Sequence, residues 1–430
     1  MRVLVVGQGG REHAICWKLK QSPQVKEIYA APGNAGIAEV ADCVPIGVAD
    51  IIELADFAEK LKIDLTIIGP ELPLTLGIVD EFQKRRLTIF GPTRLAAELE
   101  GSKVFSKEFM RKYKIPTPDA TACNSVDEAR DALKSTKYPA VIKVDGLASG
   151  KGVVIVQSKK EAEEYLTLVF DGKRFGNAAT RILVEEYITG EEVSFMVITD
   201  GKRFVPLAPA KDYKKAFDGD EGPNTGGMGS HSPAVVLTSE TAAEVMRTII
   251  LPTIQGMSEE GRPYTGVLYA GLMLTKKGPK VLEYNCRFGD PETQVQMLRL
   301  DDDLAEMLLR AARGNLGDMK VNWRKEAAAC VVMAVDGYPN DFMKGQEVVI
   351  DPFGDDSIVV FHAGVVKKGS KLINMAGRVV DVCARAATLS EALTKVYEAV
   401  PKVRFEGARY RHDIGYRALE QLAATGIGRR

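Results

Sequence analysis

The chain has 430 residues, a formal net charge of −1 and 45% hydrophobic residues. This length predicts roughly three domains, and the composition is that of a soluble globular protein. The near-zero charge and the lack of a dense basic block argue against a nucleic-acid partner. Six scattered cysteines and four histidines show no metal-ligand spacing, which predicts free thiols rather than a zinc site or disulfides. Because no signal peptide or membrane-spanning apolar run is visible, we expect a cytoplasmic protein without membrane contact.

Residues 1–100 alternate short apolar strands with helical patterns, which predicts a parallel α/β domain. The predicted strands are Val3–Val6, Glu27–Ala30, Leu65–Ile68 and Thr88–Phe90, and the predicted helices are Glu12–Lys20, Ile51–Lys62 and Leu76–Arg86. Ligands of such sheets bind at the carboxyl ends of the strands. Those ends carry the loops Gly7–His13, Pro32–Asn34 and Gly69–Glu71.

The first of these loops is similar to a dinucleotide-binding turn, but Glu12 occupies the third glycine position. This substitution argues against a nicotinamide dehydrogenase. Arg11 beside a helix N-terminus instead favours an anion, such as the phosphate of a small substrate. The alternative is an ordinary tight turn between strand and helix, with His13 as a solvated residue of the first helical turn.

A long helical pattern covers Leu95–Lys112 and is interrupted at Gly101. Lys103 and Lys107 lie four residues apart and therefore share one face of this helix. That face is either a solvated basic surface or a pair of lysines directed at a phosphate. The following segment, residues 119–188, is small enough to move as a lid over a ligand.

The lid contains two β-runs, Ala140–Val144 and Val153–Gln157, joined by a loop with several glycines and a lysine. The residues of this loop that favour phosphate are Gly146, Gly150, Lys151 and Gly152. Glycines let backbone N–H groups approach a ligand, and lysine adds a mobile positive charge. The spacing is not that of a P-loop, and a strand follows instead of a helix. We therefore predict a flap over phosphates, with an ordinary hairpin bearing a surface lysine as the alternative.

The predicted strand Ile182–Glu186 is followed directly by Tyr187 and Ile188. A backbone at this position could bind the edge of a purine, and Glu192 could accept hydrogen bonds from ribose hydroxyls. The alternative is a set of charged residues at the end of a strand.

Strands predominate after residue 191, with one long interruption at Asp218–Gly229. The glycines and proline of this interruption predict an irregular loop, and such loops in compact domains are usually functional or disordered. Asp290 and Pro291 are then predicted to cap and open a helix over Pro291–Arg313. Residues 326–430 are predicted to form a separate, small α+β domain.

Glu283 and Asn285 lie two residues apart on a predicted strand, so both side chains point to one face. A carboxylate and an amide oxygen suit Mg²⁺, which takes its remaining ligands from water and substrate phosphates. Arg287 continues this face and adds a cation. Taken alone the pattern also fits a solvated sheet face, but a neighbouring phosphate flap favours the metal site.

The order of these features along the chain resembles that of the ATP-grasp superfamily of carboxylate–amine ligases. The features are the helix lysine, the strand lysine, the glycine flap, the Glu-Glu-Tyr-Ile hinge and the Glu-x-Asn strand. Longer segments resemble one family within it, the phosphoribosylamine–glycine ligases. They are GQGGREHA (7–14), APGNAG (31–36), GPE (69–71), KVDGLASGKGV (143–153), DGDEGPNTGGMG (218–229), EYNCRFGDPETQ (283–294), FHAG (361–364) and RHDIGYRA (411–418). The resemblance runs nearly end to end.

The resemblance implies an α/β and α+β multidomain protein with an ATP-grasp fold. Its domains would be an N-terminal parallel α/β domain (1–100), an ATP-grasp domain (101–325) and a C-terminal α+β domain (326–430). It also implies that ATP, glycine and 5-phosphoribosylamine give glycinamide ribonucleotide, ADP and phosphate in de novo purine synthesis, with Mg²⁺ or Mn²⁺. By analogy, the glycine carboxylate forms glycyl phosphate, from which the ribosylamine nitrogen displaces phosphate.

The same resemblance favours a monomer, and the instability of phosphoribosylamine favours a transient contact with the amidotransferase that supplies it. Two alternatives remain open. One is another ATP-grasp ligase or carboxylase of purine synthesis, which would use bicarbonate in place of glycine. The other is a nucleotide-binding sensor without catalysis, which would need a broken flap or metal strand.

Carried over by position, the resemblance implies ATP contacts at Lys103, Lys143, Gly150, Lys151, Gly152, Glu185, Glu186, Ile188 and Glu192. It implies contacts with the acceptor or the intermediate at Gly9, Gly10, Arg11, Glu12, His13, Asn34, Glu71, Asp212, Thr225, Gly226, Gly227, Met228, Arg287, Asp290 and Pro291. Glu283 and Asn285 would bind the metal, and the implied catalytic residues are Arg287, Lys143 and Asp212.

Three positions depart from the family pattern. The strand Leu268–Thr275 lacks the further acid that many ATP-grasp enzymes have, so only two protein metal ligands are expected. Gln8 replaces the usual serine of the first loop. The segment Lys211–Lys215 reads Lys-Asp-Tyr-Lys-Lys where the family tends to read Gln-Asp-His-Lys-Arg, which leaves the roles of residues 211, 213 and 215 open.

Overall fold

The computed structural model describes residues 1–146, 152–170 and 181–425. Across these ranges, no helix is both long enough and apolar enough to span a membrane.

The first hundred residues form a five-stranded parallel sheet with the strand order β3-β2-β1-β4-β5. Its elements are β1 (Arg2–Gly7), α1 (Gly10–Leu19), β2 (Glu27–Pro32), β3 (Asp42–Cys43), α2 (Ile51–Lys60), β4 (Leu65–Ile68), α3 (Glu71–Leu76), α4 (Ile78–Lys84) and β5 (Ile89–Phe90). The four predicted strands are confirmed. Because β2, β1 and β4 are parallel neighbours, the loops after them meet at one edge of the sheet, as predicted.

The next segment builds a small antiparallel sheet with the order β6-β9-β7-β8. Its elements, with two preceding helices, are α5 (Glu98–Gly101), α6 (Lys103–Lys112), β6 (Ala120–Cys123), α7 (Val126–Ser135), β7 (Ala140–Val144), β8 (Val153–Val156), α8 (Lys159–Phe170) and β9 (Ile182–Glu186). The antiparallel pairing of β7 with β8 confirms the predicted hairpin. This sheet has its own small hydrophobic core, which includes Ile142, Leu166 and Val184.

A second antiparallel sheet follows, with the order β11-β10-β16-β17. The elements of this segment are β10 (Glu191–Asp200), β11 (Phe204–Pro206), β12 (Lys211–Asp212), β13 (Lys215–Phe217), β14 (Glu221–Asn224), β15 (Gly229–Ser232), α9 (Ser239–Val245), α10 (Leu251–Glu259), β16 (Thr265–Thr275), β17 (Gly278–Asn285), α11 (Glu292–Arg299) and α12 (Leu304–Ala312). A π-helical turn, Met246–Ile250, joins α9 to α10.

The remaining residues contribute to two further sheets, ordered β12-β15-β18-β23-β20 and β21-β22-β19-β24. Their elements are β18 (Ala327–Val335), β19 (Glu347–Ile350), β20 (Ile358–His362), β21 (Val365–Lys368), β22 (Lys371–Asn374), β23 (Arg378–Ala386), α13 (Leu389–Ala399), β24 (Val403–Arg404), β25 (Ala408–Arg409) and α14 (Tyr416–Thr425). The larger sheet borrows β12 and β15 from the preceding segment. The C-terminal segment is thereby joined to β12, the strand that carries Asp212.

Glycine sets the start of one predicted helix. The predicted helix Leu76–Arg86 is confirmed as α4, but it begins at Ile78, because Gly77 has a φ of 93° and separates it from an additional helix, α3. That left-handed conformation is accessible to glycine at little cost and ends a helix.

The prediction of a single helix over Pro291–Arg313 is wrong, because the chain forms two helices there, α11 and α12. The chain becomes extended at Leu300, and Asp303 caps α12 by accepting a hydrogen bond from Ala305 N at 2.9 Å. The prediction that Asp290 caps this helix is wrong, because the residue before α11 is Pro291 and no side chain caps it.

The segment Asp218–Gly229 is more regular than predicted. Its residues Glu221–Asn224 form β14, which pairs with β13 in a short hairpin. Gly229 then begins β15, which pairs with β18. The irregular part is therefore limited to the turn at 218–220 and the stretch at 225–228.

Candidate active site

A buried carboxylate, Glu185 on β9, binds two lysines. Lys143 Nζ lies 2.8 Å from Glu185 Oε1, and Lys107 Nζ lies 2.7 Å from Glu185 Oε2. Lys143 also donates to the Leu282 carbonyl at 3.0 Å, so β7 reaches across to β17. Burial lowers the pKa of Lys107 to about 8, with Glu185 acting in the opposite direction. The sequence predicted that Lys107 lies either on a solvated basic surface or next to a phosphate. In the structure, Lys107 is buried and pairs with Glu185.

Lys103 lies at the base of the predicted flap. Its Nζ donates to the Gly146 carbonyl at 2.6 Å, and burial lowers its pKa although Glu283 opposes this effect. Asp145 fastens the start of the flap to α6 by accepting from Val104 N at 3.2 Å. Gly150 and Lys151 lie outside the described residues. Gly152 is described, and its carbonyl accepts from Val144 N at 2.7 Å.

The predicted hinge follows β9 directly. Glu186 Oε1 pairs with Lys280 Nζ at 3.0 Å, and this contact lowers the pKa of Glu186. Ile188 lies outside regular structure between β9 and β10, after an exposed Tyr187. The exposed Glu192 carboxylate lies 4.0 Å from Lys214 Nζ.

The two predicted metal ligands share one face of β17, as their spacing predicts. Lys214 Nζ lies 3.3 Å from Glu283 Oε1, and it lowers the pKa of Glu283 to about 2 against the effect of burial. Asn285 Oδ1 accepts from Arg287 Nη2 at 3.1 Å. Within the described ranges, no cluster of three or more His, Cys, Asp or Glu side chains could hold a metal. One ionised carboxylate and one amide oxygen fit Mg²⁺ with phosphate and water as its other ligands.

Arg287 lies between two acids. Its Nε is 3.2 Å from Glu71 Oε2, and its Nη2 is 3.3 Å from Glu100 Oε1. Burial opposes the charge of Arg287, but Glu100 and Glu71 outweigh it and raise the pKa of the guanidinium. Glu100 also accepts from Cys286 N at 2.6 Å. Sequence reasoning missed Glu100, because nothing in its local sequence connects a helix acid with β17.

The first loop is closed by its own side chains. Glu12 accepts from Gly9 N at 2.6 Å and pairs with Arg11 at 2.5 Å. Arg11 Nη1 also donates to the Phe288 carbonyl at 3.1 Å, immediately after Arg287. The loop therefore contacts the chain just after β17, which carries the predicted metal ligands. The Gly9 N–H already donates its hydrogen bond to Glu12.

His13 and Asn34 bind the backbone of the C-terminal segment. His362 N donates to His13 Nδ1 at 2.8 Å, and Asn34 Nδ2 donates to the His362 carbonyl at 2.6 Å. Burial, followed by the charge of His362, lowers the pKa of His13 to about 3. His13 is buried and not the solvated residue of the alternative reading.

A second acidic cluster adjoins the first loop. Gln294 Nε2 donates to Asp290 Oδ1 at 2.9 Å and to Asp381 Oδ2 at 2.7 Å. Arg378 lies 3.3 Å from Asp290 and, despite burial, lowers the pKa of that carboxyl. Burial and then Asp290 raise the pKa of Asp381 to about 7. A Cβ on Gly10 would lie 1.8 Å from Asp381 Oδ2, so only glycine fits there.

Sequence reasoning missed Asp381 and Arg378. Both lie on β23, far along the chain from the other site residues. No local spacing signals their approach, although the FHAG segment shortly before them belongs to the resemblance.

Asp212 is a buried carboxyl whose Oδ1 has no hydrogen-bond partner. Burial, and then the charge of Glu292, raises its pKa. Glu292 Oε1 itself accepts from Ser194 Oγ at 2.8 Å and from Tyr269 OH at 2.5 Å. A Cβ on Gly227 would lie 2.8 Å from Asp212 Oδ1, so the glycine stretch packs directly on this carboxyl.

The stretch Thr225–Met228 is held by hydrogen bonds. Thr225 Oγ1 donates to the Lys214 carbonyl at 2.8 Å and accepts from Gly227 N at 3.0 Å. Arg378 Nη1 donates to the Gly226 carbonyl at 2.9 Å, and Met228 N donates to the Tyr213 carbonyl at 2.8 Å. The predicted acceptor residues of this stretch thus adjoin Asp290 and Pro291.

The site consists of two connected parts. One part is lined by the cations of α6 and β7 and by the predicted metal ligands of β17, which suits a polyphosphate. The other contains Asp212, Asp290 and Asp381 beside the first loop, which suits a small substrate with an amine and hydroxyl groups. Arg287 bridges them through Asn285 and Glu71.

Comparisons with known proteins agree over the whole chain. Residues 1–100 match the N domain of phosphoribosylglycinamide synthetase, residues 101–293 its ATP-grasp (A) domain and residues 328–417 its C domain. Phosphoribosylamine–glycine ligase of Vibrio cholerae is 46% identical, covering 99% of this chain and 100% of that protein. The protein of the same name in Rhizobium meliloti is 46% identical with the same coverage.

Solved structures support the same assignment. A crystal structure of phosphoribosylamine–glycine ligase from Thermotoga maritima has a TM-score of 0.85 at 36% identity and covers 96% of this chain and 100% of that one. A biotin carboxylase domain from Hydrogenobacter thermophilus, in complex with MgADP, has a TM-score of 0.74 at 17% identity, covers 95% of this chain and 91% of that one, and shares the fold alone. The chain belongs to the phosphoribosylglycinamide synthetase family, whose domains are N, ATP-grasp and C.

Proposed function

We propose that this chain ligates glycine to 5-phosphoribosylamine through glycyl phosphate, giving glycinamide ribonucleotide, ADP and phosphate. The ligase activity follows from the family to which the chain belongs. The observation that supports this route best is the position of Arg287. It links the metal ligand Asn285 to Glu71 at the edge of the N-terminal sheet.

ATP would bind between β7, β17 and the hinge. Lys103 and Lys143 now donate to the carbonyls of Gly146 and Leu282, and ATP phosphates would replace these acceptors. Gly150, Lys151 and Gly152 would cover the phosphates. Phosphoryl transfer depends on positioning and charge neutralisation rather than on acid–base groups, and buried lysines supply both.

The adenosine end would lie at the hinge. Glu185 and Glu186 end β9, and the backbone of Ile188 follows, where it could bind the purine edge. Glu192 is exposed and could accept hydrogen bonds from ribose hydroxyls, since its ion pair with Lys214 is long, at 4.0 Å. These contacts remain predictions.

Glu283 and Asn285 would hold Mg²⁺, which neutralises charge on the transferring phosphoryl group when bound. Mn²⁺ has the same ligand preferences and is an alternative ion. Glu283 stays ionised because Lys214 lowers its pKa to about 2, so a cation can replace the lysine without prior loss of a proton.

Arg287 is oriented before any substrate binds. Glu71 and Glu100 hold two edges of its guanidinium. A donor that is already oriented stabilises developing charge without reorganisation during the reaction. We therefore assign Arg287 to the oxygens of the transferring phosphoryl group and of the acyl phosphate.

The acceptor would occupy the part of the site that contains the acids. Gly9–His13, Asn34 and Glu71 would line it together with Asp290 and Pro291. Asp290 adjoins the first loop, because a Cβ on Gly9 would lie 3.5 Å from its Oδ2. The stretch Thr225–Met228 would shield the intermediate from water. Asp212 offers an unpartnered carboxyl oxygen to an amino group.

Omission of single substrates tests the function. Phosphate release should require ATP, a divalent metal, glycine and phosphoribosylamine generated in the assay, and the product should be glycinamide ribonucleotide. Phosphate release with bicarbonate and without glycine would instead indicate a carboxylase. ATP binding without any turnover would indicate a nucleotide sensor. Comparison of Mg²⁺ with Mn²⁺ in the same assay identifies the preferred ion.

The cytoplasmic location and a transient contact with the supplying amidotransferase are also proposed. The location rests on the free cysteines and on the similarity to phosphoribosylamine–glycine ligases, and the contact rests on the instability of phosphoribosylamine.

A further inference from the structure

Tyr213 lies between two residues of the proposed site and points away from them. Lys214 reaches Glu283, and the Asp212 carboxyl packs on Gly227. The Tyr213 hydroxyl, in contrast, accepts from Gly415 N at 2.9 Å. In an extended chain, neighbouring side chains point to opposite sides. Fixing Tyr213 on one side therefore fixes its two neighbours on the other.

Arg411 covers Tyr213 on that far side. Its guanidinium carbon lies 5.2 Å from the centroid of the Tyr213 ring, and the side chain is only 1% exposed. Arg411 binds both carboxylate oxygens of Asp413 at 2.7 Å and also donates to the Lys215 carbonyl at 3.2 Å. A bidentate pair restricts the guanidinium to one plane, so the cation cannot slide across the ring.

The same segment holds the turn that follows. We name residues 411–415 the C-terminal clamp. Arg411 Nη2 lies 2.9 Å from Asp220, Asp413 Oδ2 accepts from Gly219 N at 2.9 Å, and His412 N donates to Asp218 Oδ1 at 2.8 Å. The clamp therefore contacts the chain at Tyr213 and again at the turn 218–220.

We propose that the C-terminal clamp positions Asp212 and Lys214 for the ligase reaction by holding Tyr213. This inference rests on the proposed function, which places both residues in the site. Tyr213 is one of the three positions of the segment Lys211–Lys215 whose roles the sequence left open. The clamp acts by position and not by charge, because Asp413 and Asp220 pair with two cations, Arg411 and Arg417.

The local backbone shows what the clamp adds. Strand β12 has only two residues, and it pairs with β15 at Lys211 and Asp212. Beyond it, the backbone of Tyr213 bonds to Met228 and Gly229, and the Lys214 carbonyl accepts from Thr225, so the clamp fixes a side chain between two strands whose backbone is already held. A buried carboxyl and a nearby ammonium must be placed within a fraction of an ångström to act together, and misplacement by about 1 Å can cost about 100-fold in rate.

Single substitutions test the clamp first. Tyr213→Phe removes the hydrogen bond to Gly415, and Arg411→Lys keeps the charge but loses the bidentate geometry. We expect each to lower kcat about tenfold, with the KM for ATP changed less than twofold. Tyr213→Phe should leave the melting temperature nearly unchanged, whereas Arg411→Lys should lower it, because the buried bidentate pair with Asp413 is lost. Arg404→Lys is the control for the same type of substitution, because Arg404 makes a bidentate pair with Asp351 outside the clamp and away from Tyr213. It should leave kcat at the wild-type value.

A double-mutant cycle separates positioning from general stability. In an Asp212→Asn background, Tyr213→Phe should lower kcat by a smaller factor than in the wild-type background, because one of its two targets is already altered. Equal effects of Tyr213→Phe in both backgrounds would overturn the clamp, as would unchanged kcat in both clamp variants. Wild-type protein without glycine-dependent turnover would overturn the proposed function and the clamp together. If the wild-type protein is active and both clamp variants are equally active, the proposed role of the clamp is overturned and the proposed function is not.

Discussion

Arg287 shows how a single side chain depends on partners from distant segments. Its strand neighbours Glu283 and Asn285 were visible in the sequence, because a two-residue spacing places side chains on one face. Glu71 and Glu100, which hold the guanidinium, come from other elements. Glu100 is nearly buried, and burial raises its pKa although Arg287 opposes this effect.

Arg287→Ala should therefore reduce both turnover and stability. We expect kcat to fall about 100- to 1000-fold while ATP still binds, because an oriented donor to transition-state charge is lost. The melting temperature should also fall, since the buried Glu100 carboxyl would lose the cation that opposes the rise of its pKa. Steady-state kinetics, ATP titration and thermal unfolding measure these effects.

Arg287→Lys is the control for charge. It should restore most of the melting temperature but little of the turnover, because lysine cannot bridge two carboxylates in a plane. Near-normal kcat in the alanine variant would refute the assigned role.

Asp381 makes stability depend on pH in an unusual direction. Its pKa rises to about 7 in the folded protein, so the folded state holds a proton that the unfolded chain releases near its ordinary value of 3.8. This contribution to stability is full below the ordinary value and is lost as pH rises through about 7. The loss amounts to at most about 1.4 kcal/mol per pH unit.

Asp381→Asn removes that dependence. The free energy of unfolding of the variant, relative to wild type, should therefore increase between pH 5 and pH 8 in urea titrations. Asp355→Asn is the control, because Ser357 and Lys395 lower the pKa of Asp355 to about 2 and the group stays ionised across this range. A difference between Asp381→Asn and wild type that does not change with pH would contradict the assignment.

At the scale of elements, periodicity predicted most strands and helices but not their interruptions. The strands of the parallel sheet are short runs of apolar residues, and such runs can be recognised in the sequence without knowledge of the fold. The break at Gly77 depends on a left-handed backbone, and the extended conformation at Leu300 separates two helices with the same apolar period. Strand β15 was missed because Gly229–Ser232 has little strand propensity and pairs only through tertiary contact with β18.

The turn after β2 illustrates a contact that local sequence cannot reveal. Asn34 Oδ1 accepts from Gly36 N and Ile37 N, both at 2.9 Å. Its Nδ2 donates to the carbonyls of Gln8 and His362. A single side chain thus joins the first loop, its own turn and β20. The sequence predicted a substrate contact for Asn34, and that role remains a prediction beside this structural one.

Asn34→Ala should lower the free energy of unfolding by roughly 1–3 kcal/mol, because several buried backbone groups lose their partner. Asn34→Asp keeps the two acceptor contacts but loses both donors, so it should be destabilised as well. Denaturant unfolding and the KM for phosphoribosylamine should be measured together. A raised KM without any loss of stability would contradict the structural role.

At the scale of the whole molecule, distant segments of the chain share one hydrophobic core. Val5 of β1, Phe288 after β17 and Phe361 of β20 belong to the same cluster of buried side chains. Helix α1 packs against both α11 and β20. The proposed site lies where these segments meet, since Arg287 contacts Glu71 and Arg378 contacts Gly226. Sequence patterns delimit such segments, but contacts over hundreds of residues arise only from their packing.

Transfer of oxygen from glycine to phosphate tests the central claim most directly. Glycine labelled with ¹⁸O in its carboxylate is incubated with ATP, metal and phosphoribosylamine, and the released phosphate is analysed by mass spectrometry. If glycyl phosphate forms and the amine then displaces phosphate, one carboxylate oxygen leaves with the phosphate. We predict one ¹⁸O atom per phosphate released. Unlabelled phosphate formed together with glycinamide ribonucleotide would contradict the route through glycyl phosphate.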